Sequence, residues 1–228
     1  MAYFDHNAST PSSPEVREAV AAALCDYGNP SSVHSAGRAA RNRVEEAREE
    51  VAALVGTRAE NVIFTSGATE ANNQALRCSG RPKVIASAIE HPSVLEVSPE
   101  AARIPVSADG VTDLDALSEL LKQQGHFVVV SVMAANNESG VIQPIKGAAE
   151  RAHATGALFH CDAVQAMGRI PFDMQRLGAD MATISAHKLG GPKGVGALVL
   201  ADGMETETFT RGGGQERKRR GGTENVPG

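Results

Sequence analysis

Short runs rich in β-branched and apolar residues alternate with helical stretches along most of this chain, and that alternation restricts the fold more than any other feature. Val62 to Thr65 precedes a helical Ala68 to Leu76, Val84 to Ala86 precedes a helical Ser93 to Ala102, and Phe127 to Met133 precedes a helical Ile145 to Thr155. Ala157 to Cys161, Met181 to Ser185 and Val195 to Ala201 add further strand-like runs. Alternation of this kind is the pattern of an α/β protein. Near-continuous apolar runs such as Phe127 to Val132 suit strands covered on both sides. The expected architecture is a mostly parallel sheet with helices on both faces. Two helices should precede any strand: Ser13 and Pro14 offer a cap and a first-turn proline to Glu15–Tyr27, and His34 to Val55 keeps helical spacing until Gly56. Residues 1–228 are expected to form one large domain that opens with this helical segment, over about 1–57.

Composition removes several classes. Hydrophobic residues at 42% and charged residues at 21% exclude a disordered chain. A net charge of −5 argues against a dominant nucleic-acid or anionic-membrane surface. The basic cluster Arg217 to Arg220, flanked by Glu216 and Glu224, reads as a solvated loop, so no nucleic acid is expected. The longest apolar stretch, Phe127 to Ala135, is far short of the roughly 20 residues of a bilayer span, and the first residues show no secretory pattern. No membrane association and a cytoplasmic location are expected. Cys25, Cys78 and Cys161 form neither a disulfide framework nor a zinc-binding spacing.

In open α/β sheets ligands bind beyond the carboxyl ends of the strands, so polar residues after each strand run are the first candidates. Ser66-Gly67-Ala68-Thr69-Glu70 is a glycine turn opening a helix, whose free N–H groups and dipole suit a phosphate. His91 follows the second run, with Pro92 in a first helical turn. Asp162 and Gln165 follow another, and Ser185-Ala186-His187-Lys188 leads into a glycine-rich turn. Taken singly, these are an ordinary capped turn, a structural histidine, a helix-capping aspartate and a surface lysine. Taken together they supply a phosphate cradle, an amine, a carboxylate, an amide and an imidazole, which is the set pyridoxal phosphate requires. Its aldehyde needs a lysine, its pyridine nitrogen a carboxylate, and its phosphate a helix N-terminus.

Eight short motifs then carry a resemblance along the whole chain: Asp5–Pro11 (DHNASTP), Gly28–His34 (GNPSSVH), Thr65–Asn73 (TSGATEANN), Glu90–Val94 (EHPSV), Asn136–Val141 (NNESGV), Asp162–Gln165 (DAVQ), Ser185–Lys188 (SAHK) and Gly212–Glu216 (GGGQE). In this order they resemble the cysteine desulfurases of the NifS/IscS type, class V aminotransferases of pyridoxal-phosphate fold type I. The wording around Gly212 and Gly222-Thr-Glu-Asn225 is closer to the nitrogen-fixation branch. The resemblance implies a homodimer that removes sulfur from L-cysteine, leaving L-alanine and an enzyme persulfide for an iron–sulfur scaffold or another sulfur acceptor. It implies that Lys188 joins the cofactor covalently, Asp162 pairs with the pyridine nitrogen, Gln165 faces the ring hydroxyl, and His91 stacks on the ring and moves protons. Ala68, Thr69, Ser185 and His187 would hold the phosphate, Thr223 would reach the partner's phosphate, and Asn137 would lie near cofactor and substrate.

In that family the nucleophilic cysteine and the arginine that grips the substrate carboxylate lie in a later, small C-terminal domain. None of the three cysteines matches that position. The expectation is a large cofactor domain without the small one, exposing apolar surface and turning over cysteine poorly alone. A selenocysteine lyase shares the lysine and aspartate, and a non-catalytic cofactor- or scaffold-binding fragment is the reading from another class.

Overall fold

In the computed structural model, which describes residues 2–228, the chain folds around a seven-stranded sheet. The strands are β1 (Val62–Thr65), β2 (Lys83–Ser87), β3 (Ala102–Ile104), β4 (Val128–Ser131), β5 (Leu158–Asp162), β6 (Met181–Ser185) and β7 (Gly196–Leu200). Their order is β1-β7-β6-β5-β4-β2-β3. β7 runs antiparallel to both its neighbours, and every other pairing is parallel.

The central strands are buried along their length because both sheet faces are covered. Val128 and Val130 pack with Ala52 and Val55 of α2 (Ser35–Val55), Leu117 and Leu121 of α5 (Leu114–Gln124), and Ala148 and Ala152 of α6 (Ile145–Ala154). Val129 points the other way, to the cluster that holds Ala71 and Ala75 of α3 (Ala68–Cys78) and Val94 of α4 (Pro92–Leu95). The period of two along β4 thus feeds two cores, as the uninterrupted valines implied.

The first helix, α1 (Pro14–Ala23), has the expected Ser13 cap, with the hydroxyl accepting the Val16 N–H at 3.3 Å. It stops four residues before the expected end, so Cys25 lies beyond it. The chain must turn there to seat Gly28 against α2, where an added Cβ would stand 2.1 Å from the Ala36 carbonyl oxygen. α2 follows the expectation closely, capped by His34 and ended by Gly56 at φ +75°.

The helix expected over Ser93 to Ala102 is a correction. α4 closes at Leu95, and Ala102–Ile104 forms β3 beside β2. Pro99 is the cause, since it lacks an N–H and drives Ser98 out of the helical region. α5, capped by Asp113 through the N–H groups of Asp115 and Ala116, and the short α7 (Met174–Leu177) complete the helices longer than one 3₁₀ turn among the described residues. Among those residues no helix is long and apolar enough to cross a membrane.

Candidate active site

The carboxyl ends of β2, β4, β5 and β6 point to the same side of the sheet, and the turn after β1 meets them there. A cavity of about 670 Å³ opens at that edge. It collects nine of the ten residues singled out in the sequence: Ala68, Thr69, His91, Asn137, Asp162, Gln165, Ser185, His187 and Lys188. The tenth, Thr223, lies outside it, on a smaller cavity of about 290 Å³ that also touches Ser66 and Ala186.

Lys188 leaves β6 on a single 3₁₀ turn, held by the Gly191 and Leu189 N–H groups bonded to the Ala186 carbonyl. Its amine donates to the Asn7 carbonyl and, at 3.0 Å, to that of Ala8. Burial lowers its pKa, the Arg169 guanidinium lowers it further, and Asp162 and Asp5 oppose them.

Asp162 ends β5 and is almost wholly buried. One carboxylate oxygen accepts the Val164 N–H at 3.0 Å, and the other accepts the Asn72 side-chain amide at 2.9 Å. Burial raises its pKa, while the Asn72 and Val164 bonds and the charges of His91 and Lys188 pull it back. Glu90, buried close by, is pushed up to about 8 by burial and by Asp162. One Glu90 oxygen accepts the Met133 N–H at 2.6 Å, which ties the loop carrying His91 to the end of β4.

At the start of α3 the N–H groups of Ala68, Thr69 and Glu70 have no backbone acceptor, as expected of a helix N-terminus that faces a ligand. Glu70 borders the same cavity, with its charge met from within the fold. Its carboxylate takes the Ser66 N–H at 2.7 Å and pairs with Arg220 at 2.8 Å, which holds its pKa at about 2. Lys193 borders the cavity too and adds positive charge that suits an anion, while burial and the charges of Lys188 and Lys193 lower the pKa of the His187 imidazole beside it. Gly196 opens β7 beneath this turn, where a Cβ would stand 2.7 Å from the Gly67 Cα.

A strap formed by residues 5–10 crosses the mouth. Thr10 N–H donates to the His187 carbonyl at 2.8 Å, and the Asn7 amide donates to the Asn137 carbonyl at 2.9 Å. Gln165 Nε2 donates to the Asn7 carbonyl at 3.0 Å, while Arg169 grips Gln165 Oε1, Asn7 Oδ1 and the His6 carbonyl. Arg169, Asn72 and Glu90 took no site role in the sequence reading. Asn72 and Glu90 sit inside motifs quoted above, but no spacing rule aims a helix-borne amide or a neighbouring carboxylate at Asp162.

The amine, buried carboxylate, amide, imidazole and phosphate-ready helix end match the donor set of pyridoxal phosphate, and the cavity has the size of a cofactor site. The family profile described as aminotransferase class-V matches residues 2–228. The chain belongs to the class-V aminotransferase family. Class-V aminotransferases depend on pyridoxal phosphate, and the sheet is that of fold type I. A cysteine desulfurase from Cereibacter sphaeroides is 42% identical over 241 residues, covering 99% of this class-V chain and 62% of that protein. The solved NifS-like protein of Rickettsia africae superimposes with a TM-score of 0.94 at 40% identity, covering 100% of this chain and 65% of that one. SspA, solved in complex with cysteine, gives 0.93 at 31% identity, covering 100% and 70%. The chain spans about 60% of the length of the curated relatives it matches.

Proposed function

We propose that this chain is the cofactor-bearing part of a cysteine desulfurase, which takes sulfur from L-cysteine to leave L-alanine and a protein persulfide for iron–sulfur cluster assembly. The observation that carries the reading is the convergence of Lys188, Asp162 and the open N-terminus of α3 on one cavity. Bound there, pyridoxal phosphate supplies an aldehyde that joins a primary amine and a ring that takes up electrons.

Lys188 would anchor the cofactor through Nζ, and the lowered pKa of that amine suits it to accept a proton from the substrate α-carbon. The Asp162 carboxylate would pair with the pyridine nitrogen and favour a proton there. Gln165 offers Nε2 to the ring hydroxyl, with Arg169 holding the opposite end of the amide. His91 would cover the ring, and Asn137 would lie near the substrate. The N–H groups of Ala68 and Thr69, with Ser185 and His187, would hold the phosphate. Thr223 would serve the phosphate of a second copy. The homodimer this requires is supported by Phe4, Tyr27 and Val33, which are 91%, 91% and 86% exposed.

Sulfur leaves only when a thiolate attacks it. Cys161 is fully buried, and burial with Asp162 and Glu90 nearby raises its thiol well above the usual range. No cysteine lines the cavity among the described residues. That favours a second reading, in which this stretch alone holds the cofactor without turning over cysteine.

Absorbance of the chain with added pyridoxal phosphate, before and after borohydride, tests the proposal. A visible band that reduction fixes to the Lys188 peptide, absent in Lys188→Ala, is expected. A folded chain that shows no band overturns it. Alanine and persulfide analysis with L-cysteine then separates the two readings.

A further inference from the structure

His91 is held on one side only. Its Nδ1 accepts the Ser93 backbone N–H at 3.1 Å and lies 2.8 Å from the Ser93 hydroxyl, and no hydrogen bond is made by Nε2 within the described residues. A backbone N–H can only donate, so Nδ1 must offer its lone pair. The hydroxyl contact then runs from Ser93 Oγ–H to Nδ1, and the far side of the hydroxyl agrees with it. Asn72, fully buried on α3, donates from Nδ2 both to Asp162 Oδ2 and to Ser93 Oγ, each at 2.9 Å. Turning that amide over would aim its oxygen at the Asp162 carboxylate. Instead Asn72 Oδ1 stays buried without a partner, so the arrangement is kept at the expense of one unsatisfied acceptor. Ser93 Oγ, already accepting from Asn72, has its single proton left for His91 Nδ1.

We propose that Ser93 is a positioning residue, oriented by Asn72 and Asp162, that fixes neutral His91 as the Nε2–H tautomer. Nε2 is the ring nitrogen free to serve the cavity that His91 lines, so neutral His91 presents a donor there. At Nε2 it therefore offers a hydrogen bond and has no free lone pair there to take up a proton. The two groups are thereby told apart: Lys188 is the group suited to take a proton, and neutral His91 the group that donates a hydrogen bond. This rests on the reading that His91 faces the cofactor, but the tautomer itself does not require the cofactor.

Two-bond ¹H–¹⁵N correlation spectra of the cofactor-free chain, labelled in histidine and assigned by His91→Gln, test it at a pH where His91 is neutral. An acceptor-type shift at Nδ1 and an N–H-type shift at Nε2 are expected. Ser93→Ala should raise the Nδ1–H population several-fold, and Ser93→Thr, which keeps the hydroxyl, should restore the parent spectrum. A parent chain dominated by the Nδ1–H form overturns the proposal, as does a Ser93→Ala chain with an unchanged tautomer. The readout is taken without pyridoxal phosphate, so failure of the cofactor reading would leave it unaltered.

Discussion

Arg48 on α2 and Glu216, 168 residues later, meet in a two-pronged ion pair of 2.6 and 3.1 Å whose side chains are only 3% and 2% exposed. The same carboxylate accepts the Phe64 N–H at 3.0 Å, so it closes part of the free edge of β1, and the guanidinium sits 4.8 Å over the Phe64 ring. Removing one partner strands a buried charge. Arg48→Ala is expected to cost about 3–5 kcal/mol, read from the denaturant midpoint. Glu216→Gln, which keeps an acceptor for Phe64, should cost less than Glu216→Ala.

Arg169 depresses the Lys188 amine while pinning Gln165 and Asn7. In Arg169→Ala the amine should protonate at a higher pH. Its labelling by pyridoxal with borohydride, followed against pH, should reach half its maximum at a more alkaline value than in the parent. An unchanged profile would show that burial alone sets the amine.

His160 lies inside the sheet, bridging Ser131 on β4 at 2.9 Å and Thr183 on β6 at 3.0 Å, and burial lowers its pKa to about 3. The unfolded chain binds a proton here that the folded chain refuses. Its contribution is intact above the ordinary histidine range near 6.5 and falls as pH drops from there towards 3. One proton corresponds to about 1.4 kcal/mol per pH unit. His160→Gln should flatten that part of a stability-against-pH curve, whatever its effect at pH 7.

Gly196→Ala would set its Cβ 2.7 Å from both the Gly67 Cα and the Ile184 carbonyl oxygen, backbone atoms on two different elements. Overpacking of this kind costs about 1–3 kcal/mol. The turn that opens α3 should shift with it. A lowered melting temperature together with weaker pyridoxal phosphate binding is expected, whereas Gly203→Ala, with open space around it, tests only the positive φ of +77°.

Much of this was legible in advance. The strand runs and α2 carry strong local signals, the valines of β4 announced two covered faces, and strand-end position alone brought Asp162 and Lys188 forward. What escaped is non-local or hinges on one residue. β3 is three residues long and gains its identity by pairing with β2, and Pro99 cut a helix whose apolar spacing looked sound. α5 passed unnoticed although Asp113 caps it. Asn72, Glu90 and Arg169 owe their importance to what they touch, and sequence spacing carries no record of that.

The strap over the cavity also bears on how the protein is made. Asn7 finds the Lys188 amine 181 residues further along the chain. At roughly 5–20 residues per second of translation, the opening segment waits on the order of 10 to 40 s before its partner has been synthesised. During that interval the segment lacks the Lys188, His187 and Arg169 groups that hold it across the cavity in the folded chain.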